Sequence, residues 1–356
     1  MVKRLMLFLV LCLLLSPIAA CSSQEKSEAQ PVIIQATSTA PEQSTVIETA
    51  PEPTAEVLPP ADGDFLLPAE GIRPLAVMID NEGTRSLPQG GINKAQIVYE
   101  VIVEGGETRL MPIFWGTNPE MIGPVRSSRD YFLDYSMEHD AIYVHFGWSP
   151  QAKADIPKLK INNINGLYVG NEVIWDLTKD KGNWQDSYTS MEKLLAYVGK
   201  LGYKITTDAK FPFKYNSLSV TPADGEAATK IGMKYSTAYT SGYEYDNTTE
   251  MYKRFRKGKP QMERVSGKQL EAKNIIIQFT PSYDIKGDKQ GRQEMNTIGS
   301  GKGYFITGGK AIKLKWSKES RRAQTRYTEE AGNEIILNRG QTWIQVLPLN
   351  SKVTLE

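Results

Sequence analysis

The stretch Ile97-Val-Tyr-Glu-Val-Ile-Val-Glu-Gly-Gly-Glu-Thr-Arg-Leu-Met-Pro-Ile-Phe-Trp115 decides how the rest of the chain reads. Its first half alternates: Ile97, Tyr99, Val101 and Val103 point one way, and Val98, Glu100, Ile102 and Glu104 the other. Gly105-Gly106 suits the positive-φ positions of a two-residue hairpin, and Glu107–Trp115 reads as the returning strand. A two-residue loop sets Glu104 opposite Glu107, Ile102 opposite Arg109 and Glu100 opposite Met111. One face is then core, made by Tyr99, Val101, Val103, Leu110 and Phe114. The other gathers Glu100, Glu104, Glu107 and Arg109. Like charges opposite each other destabilise a sheet, so a cation is expected above Glu104 and Glu107. Gly123-Pro124-Val125-Arg126-Ser127-Ser128-Arg129 follows and supplies two arginines.

Outward from this stretch, Leu75–Ile79 is apolar throughout, reads as a strand buried on both faces, and ends in Asp80-Asn81, where polar residues often line a site. Downstream, Ser127 precedes a helical run over Ser128–Glu138, with Asp130 placed as in a capping box. Ala141–Phe146 reads as a strand carrying His145. Tyr188–Leu201 reads as a helix with Met191, Leu194, Leu195 and Val198 on its core face. From about Ser219 the pattern changes to strand-like runs and turns, with Gly308-Gly309 marking a hairpin. The expected fold class is α+β: a mixed α/β domain over 65–218, then a mainly antiparallel β domain over 219–356.

Ahead of Phe65 the chain is of another kind. Lys3 and Arg4 precede an apolar core, Leu5–Leu15, about 16 Å long as a helix and so about half a bilayer's hydrocarbon thickness. Ile18-Ala19-Ala20-Cys21 closes it in the manner of a bacterial lipobox, so residues 1–20 read as a lipoprotein signal peptide and Cys21 as the lipidated N-terminus of the mature chain. Cys12 leaves with the signal, so an internal disulfide is not expected. Residues 21–64 are rich in Ser, Thr, Pro, Ala and Glu and read as a disordered tether, roughly 35–40 Å in mean span on coil scaling. Signal and tether together hold three bases and eight acids, against 42 and 41 in the whole chain, which leaves the remainder at +6. That excess suits acidic envelope polymers and is far from a nucleic-acid signature.

These segments resemble the YerB-like lipoprotein family with its DUF3048 N- and C-terminal domains. The resemblance rests on Ile79-Asp80-Asn81, Ala95–Glu100, Glu104–Arg109, Gly123–Arg129, Asp140–His145, Gly299–Gly303 and Gly340–Val346. It implies a membrane-anchored extracytoplasmic protein and no established reaction. The family pattern carries Pro-His-Asn before a Tyr-Thr-Ser; here Trp184-Gln185-Asp186-Ser187 precedes Tyr188-Thr189-Ser190, and that histidine is absent.

Asp80, Asn81, Glu100, Glu104, Glu107, Arg109, Arg126, Arg129 and His145 form the candidate anion or ligand site. Arg126 and Arg129 flank a helix N-terminus, which favours anions, while mutual neutralisation of acids and arginines explains the same residues without a ligand. His145, accompanied only by His139, suits a general base or a hydrogen-bonded strand end. There is no HExxH or cysteine pair, so no metal and no cofactor is expected. Gly299–Gly303 lacks P-loop spacing and reads as a glycine-rich turn. The run Tyr243, Tyr245, Tyr252, Arg254, Phe255, Arg256, Lys257 suits either a glycan-binding face or a half-exposed strand. The resulting expectation is a lipid-anchored, non-enzymatic factor binding cell-wall polymer or a membrane-bound envelope protein. The alternative is an envelope hydrolase or transferase centred on Asp80, Glu104, Arg126, Arg129 and His145.

Overall fold

The computed structural model describes residues 65–178, 183 and 185–356; the signal, lipobox and tether readings lie outside them. The principal strands are β1 Leu75–Val77, β2 Ile97–Ile102, β3 Thr108–Phe114, β4 Ile142–His145, β5 Asn163–Asn165, β6 Lys230–Lys234, β7 Thr240–Asp246, β8 Met251–Arg256, β9 Asn274–Thr280, β10 Gly299–Thr307, β11 Lys310–Lys318, β12 Thr342–Pro348 and β13 Lys352–Leu355. The α-helices are α1 Asp130–Met137, α2 Pro150–Lys158 and α3 Met191–Lys200. The fold is α+β, and the C-terminal region is mostly antiparallel strands.

One twelve-stranded sheet runs through both parts of the chain. From Glu226–Ala227 at one edge its order is β11-β10-β9-β12-β2-β3-β1-β4-β5. The two parts join where β12 lies parallel to β2, with Ile344 opposite Tyr99 and Gln345 opposite Glu100. β2, β3, β9 and β12 are buried along nearly their whole length, because this sheet is covered on both faces. On one face lies α1, whose Tyr135 stacks on Tyr99 at 4.9 Å and whose Tyr131 hydroxyl donates to the Ile102 carbonyl. On the other lies a six-stranded sheet ordered β8-β7-β6-β13, with short strands at Lys259–Pro260 and Glu271–Ala272 against β8. There Tyr243 meets Trp343 edge to face. β6–β8 alternate buried with more exposed residues, as expected of a sheet wet on one side.

Several local expectations shift. Helix α3 begins at Met191 and is capped by Ser190, whose Oγ accepts from Lys193 N at 3.3 Å. Leu195 points to solvent beside buried Met191, Leu194 and Val198. Helix α1 starts at Asp130 with Arg129 as N-cap and no side-chain cap, so the capping box does not form. Gly308-Gly309 turns the β10–β11 hairpin with both glycines at positive φ, and Gly299–Gly303 lies within β10.

The central hairpin pairs β2 with β3 antiparallel, but one residue out of the expected register. Ile102 faces Thr108, Val101 faces Arg109, and Glu100 faces Leu110. The loop is three residues, Glu104–Gly106, with both glycines at positive φ. Val103 N donates to Glu107 O and Glu107 N to Glu104 O within the loop, and Ser236 rests on it: the Ser236 hydroxyl donates to Gly106 O at 2.7 Å, and a Cβ on Gly106 would lie 2.6 Å from the Ser236 hydroxyl oxygen. A contact from far along the chain thus braces the loop. Because side chains alternate, the one-residue slip moves Arg109 to the face opposite Glu100.

Candidate functional site

The slip divides the expected acid–arginine cluster in two. Asp80 lies opposite Arg109 in the sheet and so faces α1, whereas the next residue, Asn81, faces the smaller sheet. Each half has its own chemistry.

Towards the smaller sheet, Glu100 is fully buried. Its Oε1 accepts from Asn81 (3.2 Å), Thr108 (2.8 Å) and the Tyr239 hydroxyl (2.6 Å). Its Oε2 accepts from Arg254 Nη2 at 2.6 Å, and both side chains have 0% exposure. The counter-ion of Glu100 thus comes from β8 and not from the Gly123–Arg129 segment. Arg254 also donates to Gln261 and Tyr243 and lies over the Trp343 ring, 4.1 Å from its centroid. Burial works against its charge, but Glu100 more than offsets this and holds the guanidinium pKa above its ordinary value. Arg256 donates to the side-chain and backbone oxygens of Asn81, while Gln89 and Gln261 close the network around Asn81. Glu107 leaves the hairpin face altogether and pairs with Lys257 at 2.5 Å and Arg256 at 3.6 Å. Tyr243, Tyr252, Arg254 and Arg256, a candidate glycan-binding face in the sequence, point inward and are buried.

Towards α1, the GPVRSS segment inserts as a short extended ledge between Ile79–Asp80 and the chain beyond β4. Asp80 N bonds to Pro124 O, Arg126 N to Met78 O, Phe146 N to Arg126 O and Ser128 N to Gly147 O. On this ledge Arg126 Nε lies 3.1 Å from Asp80, which has no exposure, and its Nη2 lies 3.9 Å from Glu82. Arg129 binds Glu104 through Nε (2.6 Å) and Nη2, and Arg109 approaches the same carboxylate at 3.9 Å while donating to Ser127 O. Arg292, unsuspected from the sequence, also stands 3.9 Å from Glu104. Burial and the nearby Arg129 lower the Arg109 pKa to about 10. Glu104 is lowered too, though in its case this favours the charged form: burial would raise it, but Arg109 and Arg129 bring it below the ordinary carboxylate value. Gln185, in the stretch where the family pattern has a histidine, donates to Asp80 at 3.1 Å and to Glu82 O.

His145 joins neither half. It is buried at the end of β4, with Nδ1 2.7 Å from the Gly147 carbonyl oxygen and Nε2 3.2 Å from Asn163 Oδ1. Its ring stacks on Tyr143, and burial lowers its pKa. His139 sits in a separate buried knot. Tyr99 donates to Glu138 there, Lys318 binds Glu138 at 2.6 Å, and burial drives the imidazole pKa down to about 4. Among the described residues, no group of His, Cys, Asp and Glu is arranged to hold a metal ion, and no helix is long and apolar enough to cross a membrane.

The partners the sequence reading missed, Arg254, Gln261 and Arg292, come from the second part of the chain, far from the hairpin and from Asn81, which they contact. One signal was present: the spacing of Tyr252, Arg254 and Arg256 places them on one strand face.

Comparison with known proteins bears on both parts of the chain. Residues 67–204 match the family described as "Protein of unknown function (DUF3048) N-terminal domain", and residues 231–344 match its C-terminal domain. The chain is 32% identical over 281 residues to "Putative lipoprotein YerB" of Bacillus subtilis (strain 168), covering 78% of this chain and 81% of that protein. The crystal structure of the YerB protein from Bacillus subtilis superimposes with a TM-score of 0.70 at 29% identity, over 80% of this chain and 94% of that one. This chain therefore belongs to the family built from the DUF3048 N- and C-terminal domains, to which it is joined by sequence and by fold.

Proposed function

We propose that this protein is anchored through lipidated Cys21 on the extracytoplasmic face of the membrane and acts by binding cell-wall polymer rather than by catalysis. The lipobox and the likeness to a protein named as a lipoprotein support the anchor. The occupied state of the candidate acids and bases supports binding. Glu100, Glu138 and His145 are buried and hydrogen-bonded within the protein, and Glu104 is shared among arginines. A general acid or base must reach its substrate directly or through one water.

The observation that carries the reading is the surface beside the GPVRSS ledge. Tyr168 is 72% exposed and stands against partly exposed Trp148, ring centroids 5.7 Å apart, with Leu167 also exposed. They lie beyond the C-terminal ends of the parallel strands β1, β4 and β5, the end of a sheet where ligands commonly bind. Aromatic faces, with the Lys153 ammonium 5.7 Å over the Trp148 ring, suit a saccharide, which offers apolar C–H faces and hydroxyls together.

Two measurements test this. Cys21→Ala should move the protein from the membrane to the soluble fraction. Tyr168→Ala should reduce co-sedimentation with purified wall sacculi several-fold while leaving the melting temperature within about 2 °C, because an exposed side chain contributes little to stability. Undiminished sedimentation of the Tyr168 variant would remove the ledge as the binding surface.

A further inference from the structure

The geometry points to a second site, separate from the ledge: a basic cavity that binds phosphodiester groups. It lies where β2, β9 and β12 begin, the end of the sheet opposite the GPVRSS ledge, and encloses about 640 Å³. Five cations line it, Lys94, Lys253, Lys268, Lys273 and Arg339, against two carboxylates, Glu263 and Glu271.

Both carboxylates are already engaged. Glu263 accepts from Gly91 N at 2.9 Å and from the backbone and hydroxyl of Ser266, and Glu271 pairs with Lys253. Lys273 is held by Glu250 at 3.0 Å. Lys94 and Lys268 stand exposed on the rim and make no ion pair among the described residues. The exposed, unpaired rim cations offer a site for an oxyanion.

The type of cation narrows the ligand. Four of the five are lysines, compact charges with three rotatable donors each, which suit phosphate oxygens; paired planar carboxylate recognition favours arginine. Lys94 and Lys268 come from different parts of the chain and border one opening, so a ligand with successive charges engages both, which a single monovalent anion does not. The shared chemistry is a phosphodiester repeat or array, presented by a soluble polyol-phosphate polymer or by anionic lipid headgroups.

The test uses the full-length chain carrying Cys21→Ala as the parent background, so that no lipid anchor inserts into micelles of either headgroup. It is titrated with soluble poly(glycerol phosphate) and, separately, with mixed micelles containing phosphatidylglycerol or phosphatidylcholine. The parent should bind the polymer or the phosphatidylglycerol micelles and ignore phosphatidylcholine; which of the two binds identifies the source of the phosphodiester. Lys94→Ala combined with Lys268→Ala should weaken binding at least tenfold. Lys200→Ala combined with Lys204→Ala, which removes the same charge elsewhere on the surface, should change it less than twofold. Absence of binding to either probe, or equal losses in the two double variants, overturns the inference. Because Tyr168 lies at the other end of the sheet, Tyr168→Ala should leave this binding intact whether or not the wall-polymer reading holds.

Discussion

Replacing Arg254 with methionine tests the buried pair that joins the two parts of the chain. The substitution roughly preserves volume and removes the 2.6 Å bond to Glu100 together with donors to Gln261 and Tyr243. Glu100 would keep its three neutral donors from Asn81, Thr108 and Tyr239 but lose its counter-ion at a position with no solvent exposure. Breaking a buried pair by removing one partner costs about 3–5 kcal/mol, most of it from the uncompensated charge. At about 2–4 °C per kcal/mol for a body of this size, the melting temperature should fall by roughly 10–15 °C. Glu100→Gln in the same background removes the stranded charge and should recover about half of the loss or more. Urea unfolding of the parent, both single variants and the double variant gives the coupling, provided the denaturant slopes agree. A loss below about 1 kcal/mol for Arg254→Met, or no recovery on adding Glu100→Gln, would refute the argument that charge compensation holds this interface.

The two ledge arginines should differ in how much stability their loss costs. Arg126→Met strands the fully buried Asp80, whereas after Arg129→Met the Glu104 carboxylate still has Arg109 and Arg292 nearby. Thermal melts should therefore show the larger loss for Arg126→Met, and equal losses would contradict this. His139 should make stability depend on pH. Its folded pKa of about 4 lies below the ordinary value near 6.5, so between these values the unfolded chain binds the extra proton and stability rises with pH. The contribution is complete above pH 6.5, is lost as pH falls towards 4, and amounts to about 3 kcal/mol at most. Urea melts at pH 5 and 7.5 should show a smaller pH effect for His139→Gln than for the parent; an equal effect would exclude His139 as the source.

By itself the sequence determined what local pattern can carry. The unbroken apolar run Leu75–Ile79 made β1 a buried strand, because only a sheet covered on both faces buries both sets of side chains. The spacing of Met191, Leu194 and Val198 marked α3, Gly308-Gly309 marked the β10–β11 turn, and long motif matches marked the family. The hairpin register is settled in the tertiary structure, because both two- and three-residue loops fit Gly105-Gly106; the three-residue loop is the one formed, with Ser236 from the second part of the chain donating to Gly106 O. That single residue of register placed Glu100 and Arg109 on opposite faces and gave Glu100 an arginine from a strand 154 positions away. Charge pairing in a buried interior depends on which elements meet across it, and no local pattern around Glu100 contains that information.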